Sequence, residues 1–169
     1  MIARIRLRSA TLADQREFLA SVKASRALHH PWVGGPSTPT STQFRAYVKR
    51  MSLPENCALL VCERGAGRIV GVINITNIVL GMFRSAYIGY YVFAGFERQG
   101  FMREGMRAAV RHAFSELKLH RLEANIQPGN AASIALVKAC GFSLEGYSRR
   151  YLKIGGRWRD HERWAILAS

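Results

Sequence analysis

The chain has 169 residues, 49% of them apolar and spread along its length, which suits one globular domain over 1–169 and excludes a disordered chain. No apolar run reaches the roughly 18 residues that a membrane-crossing helix needs. The start, "MIARIRLRSATL", alternates charge with aliphatic residues instead of forming the apolar core of a secretory signal, so the expected location is the cytoplasm, with no membrane partner. With 25 basic residues against 11 acidic, the net charge is +14, a field that attracts polyanions such as RNA, a ribosome or a phosphate-rich cofactor without by itself showing that one binds.

"ARIRL" alternates with period two and predicts a strand. "TLADQREFLASVKASRAL" predicts one helix, with Thr11 or Asp14 as its cap and Phe18, Leu19 and Val22 on its apolar face. "HHPWVGGPSTPTST" reads as a long loop and "TQFRAYVKRM" as a short helix. "CALLVCER", the turn "GAGR" and "IVGVINITNIVL" predict a hairpin of two long strands, and "SAYIGYYVF" a further strand. A long amphipathic helix is expected over about 101–118, followed by the strand "RLEANI". "QPGN" is a turn whose Asn130 can cap the helix "AASIALVKAC", and Gly141 stops that helix. The end, "FSLEGYSRRYLKIGGRWRDHERWAIL", reads as two strands around a Gly-Gly turn.

This order defines an α/β (α+β) chain with a mixed sheet of six to seven strands. The sheet is largely antiparallel, with a central parallel strand–helix–strand crossover between Tyr87 and Ile126. The three cysteines, Cys57, Cys62 and Cys140, are odd in number and scattered without a CxxC, so neither a disulfide framework nor a metal site is expected. Cys62 and Cys140 read as packing residues.

"GFERQGFMREGMRAAVRHAF", residues 95–114, places glycine and charge directly ahead of the longest helix. A helix N-terminus presents unpaired amides and about half a positive charge, which together make a seat for phosphate. The amides near Arg98, Gln99, Gly100, Phe101 and Met102 are placed to ring a pyrophosphate, and Arg98, Arg103 and Arg107 add charge nearby. The alternative is an ordinary turn. The stretch is neither a P-loop nor a dinucleotide fingerprint, because no GK[ST] follows and no GxGxxG is present.

The run "RQGFMREGMRAAVRHAF", followed by "HRLEANIQPGNAASIALVKACGFSLEGYSRRYLKIGGRWRDH", resembles the GNAT superfamily of acetyl-CoA-dependent N-acetyltransferases. Within it the chain is similar to the Rim-type enzymes that acetylate the N-termini of ribosomal proteins. The resemblance runs back through "GVINITNIVLGMFRSAYIGY", and "HHPWV" resembles the family's Pro-Trp loop. It implies that the pyrophosphate motif Q/R-x-x-G-x-G/A falls on Glu97, Arg98, Gln99, Gly100, Phe101 and Met102, with Glu97 turned away from the phosphates. It further implies that Asn130 contacts the pantetheine arm and that the Ser133 hydroxyl lies near the sulfur of CoA. A Tyr acid common in the superfamily is replaced by Val137, and a Glu base found in some relatives aligns with Leu152.

Acetyl transfer to an amine needs an oxyanion stabiliser, a proton for the leaving thiolate and a neutral nucleophile. The expected oxyanion donor is a backbone N–H near Tyr91 to Phe93, with Tyr91 and Val92 foremost and Phe93 also expected to line the cofactor, and Ser133 is the expected group at the thiolate. Water relayed through Glu145, Tyr147, Tyr151 or His161 is one route for the proton; the alternative readings are an arginine partner for Glu145 and strand packing for Tyr147 and Tyr151. His29 and His30 read as exposed loop histidines without a catalytic role, and Trp32 as either a groove wall or a core plug. The implied acceptor is the N-terminal α-amine of a protein, such as a ribosomal protein near RNA. A small amine, a peptidyl lysine, and a non-catalytic acetyl-CoA- or RNA-binding module remain as alternatives.

Overall fold

The structure is a computed structural model that describes residues 3–34 and 38–169. Among these there are seven strands: β1 (Ile5–Ser9), β2 (Cys57–Glu63), β3 (Ile69–Val79), β4 (Ser85–Val92), β5 (Arg121–Ile126), β6 (Ser143–Ile154) and β7 (Arg157–Leu167). Five α-helices accompany them: α1 (Gln15–Ala24), α2 (Arg26–His29), α3 (Ser41–Met51), α4 (Phe101–Ser115) and α5 (Ala131–Ala139). The sheet order is β1-β2-β3-β4-β5-β7-β6, antiparallel throughout except for β4 and β5, which run parallel across the α4 crossover. The expected crossover and sheet are therefore present.

Helices cover both faces of the sheet, so β2 and the first half of β3 are buried on both sides and read as continuous apolar runs, not alternating ones. On one face α4 and α5 pack Met106, Ala109, Ala113 and Val137 against Val61, Ile73, Ile75 and Leu122. On the other, α1 and α3 pack Phe18 and Phe44 against Leu60, Cys62, Val72 and Phe93. Cys62 is fully buried, as expected of a packing thiol. Gly105 allows α4 to lie close to the sheet, since a Cβ there would sit 2.9 Å from Val61 Cγ2.

Three segments differ from expectation. The single helix over 11–28 is divided into a 3-10 turn, α1 and α2, because Ser25 leaves helical geometry (φ −92°, ψ 7°). The Ser25 hydroxyl donates to Ser21 O (2.6 Å) and accepts from Ala94 N–H (2.8 Å), which ties this corner to the end of β4. The loop expected over 29–42 begins after His29 and ends before Ser41, and its residues 35–37 lie outside the described residues. Helix α4 ends at Ser115 instead of 118, since Lys118 turns left-handed (φ 55°) and sends Leu119 back into the core.

The start of the chain is pinned by a partly buried ion pair. Arg8 Nη1 and Nη2 donate to Asp14 Oδ2 (2.9 Å) and Oδ1 (2.5 Å), and the Thr11 amide and hydroxyl donate to the same carboxylate. Burial pushes the Asp14 carboxyl up, but the Arg8 and Thr11 hydrogen bonds outweigh it and hold the group below its ordinary value. A depressed carboxyl contributes stability that is present above the unfolded pKa and lost as pH falls through the folded one. Asp14→Asn should therefore lower stability at pH 7 by about 1–3 kcal/mol, measured by urea unfolding. The gap from wild type should close below about pH 4, near the unfolded carboxyl value.

Candidate active site

The parallel pairing of β4 with β5 covers only Ser85–Tyr87 against Arg121–Glu123. Beyond it β4 stays on β3 and β5 stays on β7, so a wedge opens between the two strands. Phe93 N–H donates to Val70 O at 2.8 Å, and Tyr91 is in register with Val72. Antiparallel bonding alternates with period two, so the Tyr91 and Phe93 amides face β3 while those of Tyr90 and Val92 face the wedge. This corrects the expectation for Tyr91 and Phe93, whose N–H groups are already committed. The Phe93 side chain is also buried in the α1–α3 core. The Val92 and Tyr90 amides are the ones that face the wedge.

After β4 the chain turns through Gly95 and Arg98, both at positive φ, and Gly100 (φ 82°) caps α4 without a side-chain bond. Among the described residues, the amides from Arg98 to Arg103 meet no acceptor, and the first α4 bond is Glu104 N–H to Gly100 O. A run of free amides at a helix start, with left-handed residues inside the turn, forms a concave anion seat. The Glu97 carboxylate is folded back onto its own loop, where it accepts from Gly95 N–H at 2.6 Å. The Gln99 side chain bonds Gly95 O (2.6 Å), and the Phe101 ring is buried beneath the Arg4 guanidinium, so these two residues have only their amides to offer. Arg107 is drawn away to Ala139 O (3.0 Å), leaving Arg98 and Arg103 as the arginines that line the cavity.

That cavity, of about 770 Å³, runs from the α4 start to the α5 start and is lined by Tyr90, Val92, Arg98, Gly100, Met102, Arg103, Asn130 and Ser133. Asn130 Oδ1 accepts from Ser133 N–H (3.1 Å), the expected N-cap, and its Nδ2 donor has no partner among the described residues. Ser133 Oγ lies 2.6 Å from the Tyr90 hydroxyl, which also donates to Ser133 O at 3.2 Å. Burial raises the Tyr90 phenol well above its ordinary range, although the Ser133 bond works against the shift, so the group is protonated at neutral pH. Tyr90 is absent from the sequence expectation. Its only sequence signal is a second tyrosine beside Tyr91, which does not say which ring points at Ser133.

A second cavity, of about 570 Å³, opens against α1 and α3 and shares His29, Val33 and Tyr91 with the first. Trp32 lines the first cavity against Gly129, and Gln127 Nε2 donates to Pro31 O at 3.4 Å, so Trp32 is a groove wall and its loop bridges the wedge. Glu145, Tyr147, Tyr151 and His161 line neither cavity. Glu145 pairs with Arg121, Tyr147 donates to Asp160 (2.7 Å), and His161 is buried in the hairpin, where burial lowers its pKa. Among the described residues no metal-binding cluster of His, Cys, Asp or Glu occurs, and no helix is long and apolar enough to cross a membrane.

A wedge of free strand amides beside a helix-capped anion seat, with a hydroxyl pair at its floor, defines an acyltransferase fold for a phosphate-bearing acyl carrier. Comparison makes the class specific. Residues 4–143 match the acetyltransferase (GNAT) domain model, and the chain belongs to that family of N-acetyltransferases. It is 32% identical over 155 residues to the probable N-acetyltransferase YjcK of Bacillus subtilis, covering 92% of this chain and 83% of that protein. It is 41% identical over 93 residues to the [ribosomal protein uS5]-alanine N-acetyltransferase of Escherichia coli, covering 55% of this chain but 48% of that enzyme. Mycobacterium smegmatis RimJ, in complex with CoA-disulfide, superposes with a TM-score of 0.90 at 27% identity, covering 97% of this chain and 82% of that one. The fold is also that of Vibrio cholerae spermidine N-acetyltransferase in complex with CoA and spermine, at a TM-score of 0.84, 22% identity and coverage of 98% and 96%.

The seat depends on the left-handed turn into α4. Gly100→Ala should weaken CoA binding about tenfold in calorimetry, since a Cβ at φ +82° costs about 1 kcal/mol and meets Arg4 Nη2 at 3.2 Å. Gly81→Ala carries similar backbone strain in an open turn (φ +71°) and should leave CoA binding unchanged.

Proposed function

We propose that residues 1–169 act as one acetyltransferase domain that moves an acetyl group from acetyl-CoA to the N-terminal α-amine of a protein or peptide, a ribosomal protein being the class its relatives favour. The free amides at the α4 start, with Arg98 and Arg103 beside them, suit a pyrophosphate, and the cavity leading to Asn130 and Ser133 suits the pantetheine arm. Acetyl-CoA supplies the activated thioester. In this arrangement the Val92 and Tyr90 amides, held in place by the β3 pairing, receive developing negative charge in the wedge. Ser133 then donates to the leaving sulfur, and the protonated Tyr90 phenol, turning its one hydrogen from Ser133 O to Ser133 Oγ, strengthens it as a donor.

The observation that favours a peptide terminus over a polyamine is the charge of the second cavity. Among the described residues its lining holds Arg26, Arg50, His29 and His30 and no Asp or Glu. A polyamine brings several positive charges that this wall repels, whereas a peptide terminus brings one amine followed by carbonyls and, in acidic sequences, carboxylates. An α-amine, with a pKa of about 7.7–8.0, also supplies far more neutral nucleophile near pH 7 than a lysine at about 10.4. The excess of basic charge over the chain suits an acceptor that is presented near RNA.

A panel of acceptors tests this. Peptides with a free N-terminus should turn over, at least about 100-fold faster than the same peptides blocked at the terminus but carrying an internal lysine, in keeping with the difference in neutral amine. Spermidine should be a poor acceptor. Turnover that survives the block, or that is fastest with spermidine, contradicts the proposal. Ser133→Ala and Tyr90→Phe should each lower kcat by about 10–100-fold with the KM for acetyl-CoA nearly unchanged, the signature of interactions made in the transition state. Equal rates would remove the pair from the chemistry.

A further inference from the structure

We propose that His29 is the general base of the reaction, taking the proton from the attacking amine at its Nδ1. The proposal rests on the amine-acetylating function above and goes beyond it, since neither the expected glutamate position nor any hairpin carboxylate reaches the site. Leu152 stands where the base was expected. Glu145 is held by Arg121, Asp160 by Tyr147 and the Arg150 amide, and Glu162 by Trp164 Nε1. Glu97, the one carboxylate lining either cavity, is bound to Gly95 N–H.

His29 stands where the two cavities meet. Its Nε2 is 2.7 Å from Val92 O, the carbonyl of the residue whose amide faces the wedge. A carbonyl can only accept, so Nε2 carries the hydrogen, and in the neutral ring Nδ1 is left with the lone pair. Among the described residues Nδ1 has no partner. The ring is fixed edge-on to Tyr91 (5.0 Å between centroids) and against Phe93 (6.2 Å). Its backbone is fixed as well, by His29 N–H to Ser25 O at 3.0 Å, and Ser25 is itself bonded to Ala94. The surrounding titratable and charged groups are Arg26 and His30 on its own segment, Tyr47 and Arg50 of α3, Tyr90 and Tyr91 of β4, Glu97 and Arg98 of the β4–α4 loop, and Arg103 of α4.

The proton balance closes. The amine nitrogen bonds to the acetyl carbon, its proton passes to Nδ1, and the C–S bond breaks. The sulfur leaves as a thiolate held by the Ser133 hydroxyl and is protonated from solvent. The imidazolium keeps its Nε2–H bond to Val92 O, which becomes a charge-assisted bond at that moment, and then returns its proton to water.

The test uses the full chain with a free-N-terminus peptide and His29→Gln, whose amide can still donate to Val92 O but cannot accept a proton. The expected kcat falls about 100-fold or more, while the affinity for acetyl-CoA in calorimetry stays within twofold. Added imidazole should partly restore His29→Ala. In the wild-type protein, long-range nitrogen–proton NMR of the ring should show Nε2 protonated and Nδ1 bare. An Nδ1–H tautomer, a variant within threefold of wild type, or loss of acetyl-CoA binding along with activity would each overturn the assignment. A wild-type enzyme that turns over no peptide would instead sink the acceptor proposal, so the two failures are distinguishable.

Discussion

The early parting of β4 from β5 is the constraint on which the site depends. Three residue pairs hold the strands together, and beyond Tyr87 neither strand supplies the other with hydrogen-bond partners. Unpaired backbone groups are costly to bury, so a wedge between central strands must be occupied by something that bonds them. Here the chain supplies partial substitutes. His29 meets the Val92 carbonyl, Ser25 meets the Ala94 amide, and Tyr90 reaches across to Ser133. The Tyr90 and Val92 amides, the Tyr90 carbonyl and the first turn of α4 remain, and most of these are donors. A ligand rich in carbonyl and phosphate oxygens is the chemical complement of that surface.

The two layers of helices keep the wedge open. Fully buried Met106 and Val137 fasten α4 and α5 to one face, and buried Phe18 and Phe44 fasten α1 and α3 to the other, so the strands cannot close sideways without breaking both cores. The segment after α1 then crosses the opening, with His29 on the β4 side and Trp32 over Gly129 on the β5 side. The two cavities thus meet at β4, whose Tyr90 packs toward the α4–α5 face and whose Tyr91 packs toward the α1–α3 face. Preorganised donors of this kind need little rearrangement when charge develops.

Much of this was legible in the residues. The strand alternation, the Asn130 cap and the Gly-Gly hairpin follow local rules, and the helix-start seat follows from Gly100 and the amphipathic run behind it. Glu97, which looked out of place among phosphates, is explained by a local bond to Gly95 that spacing alone does not reveal. What stayed hidden was long-range. Whether Tyr90 or Tyr91 faces α5 depends on the β3 register, and a single-residue slip would exchange them. His29 read as an exposed loop residue because its partner, Val92, is more than 60 residues away. The break at Ser25 that carries His29 into the wedge is likewise set by a tertiary bond, to Ala94, and not by helix propensity.

The central claim is that free main-chain amides in the wedge and at the α4 start hold the acyl carrier. Backbone amide NMR during titration with CoA tests it most directly. The account predicts large, saturable shifts at Tyr90, Val92 and the amides from Gly100 to Arg103, with Tyr91 and Phe93, already bonded to β3, moving little. CoA that binds while those amides stay still, or that shifts Tyr91 and Phe93 in their place, would contradict it.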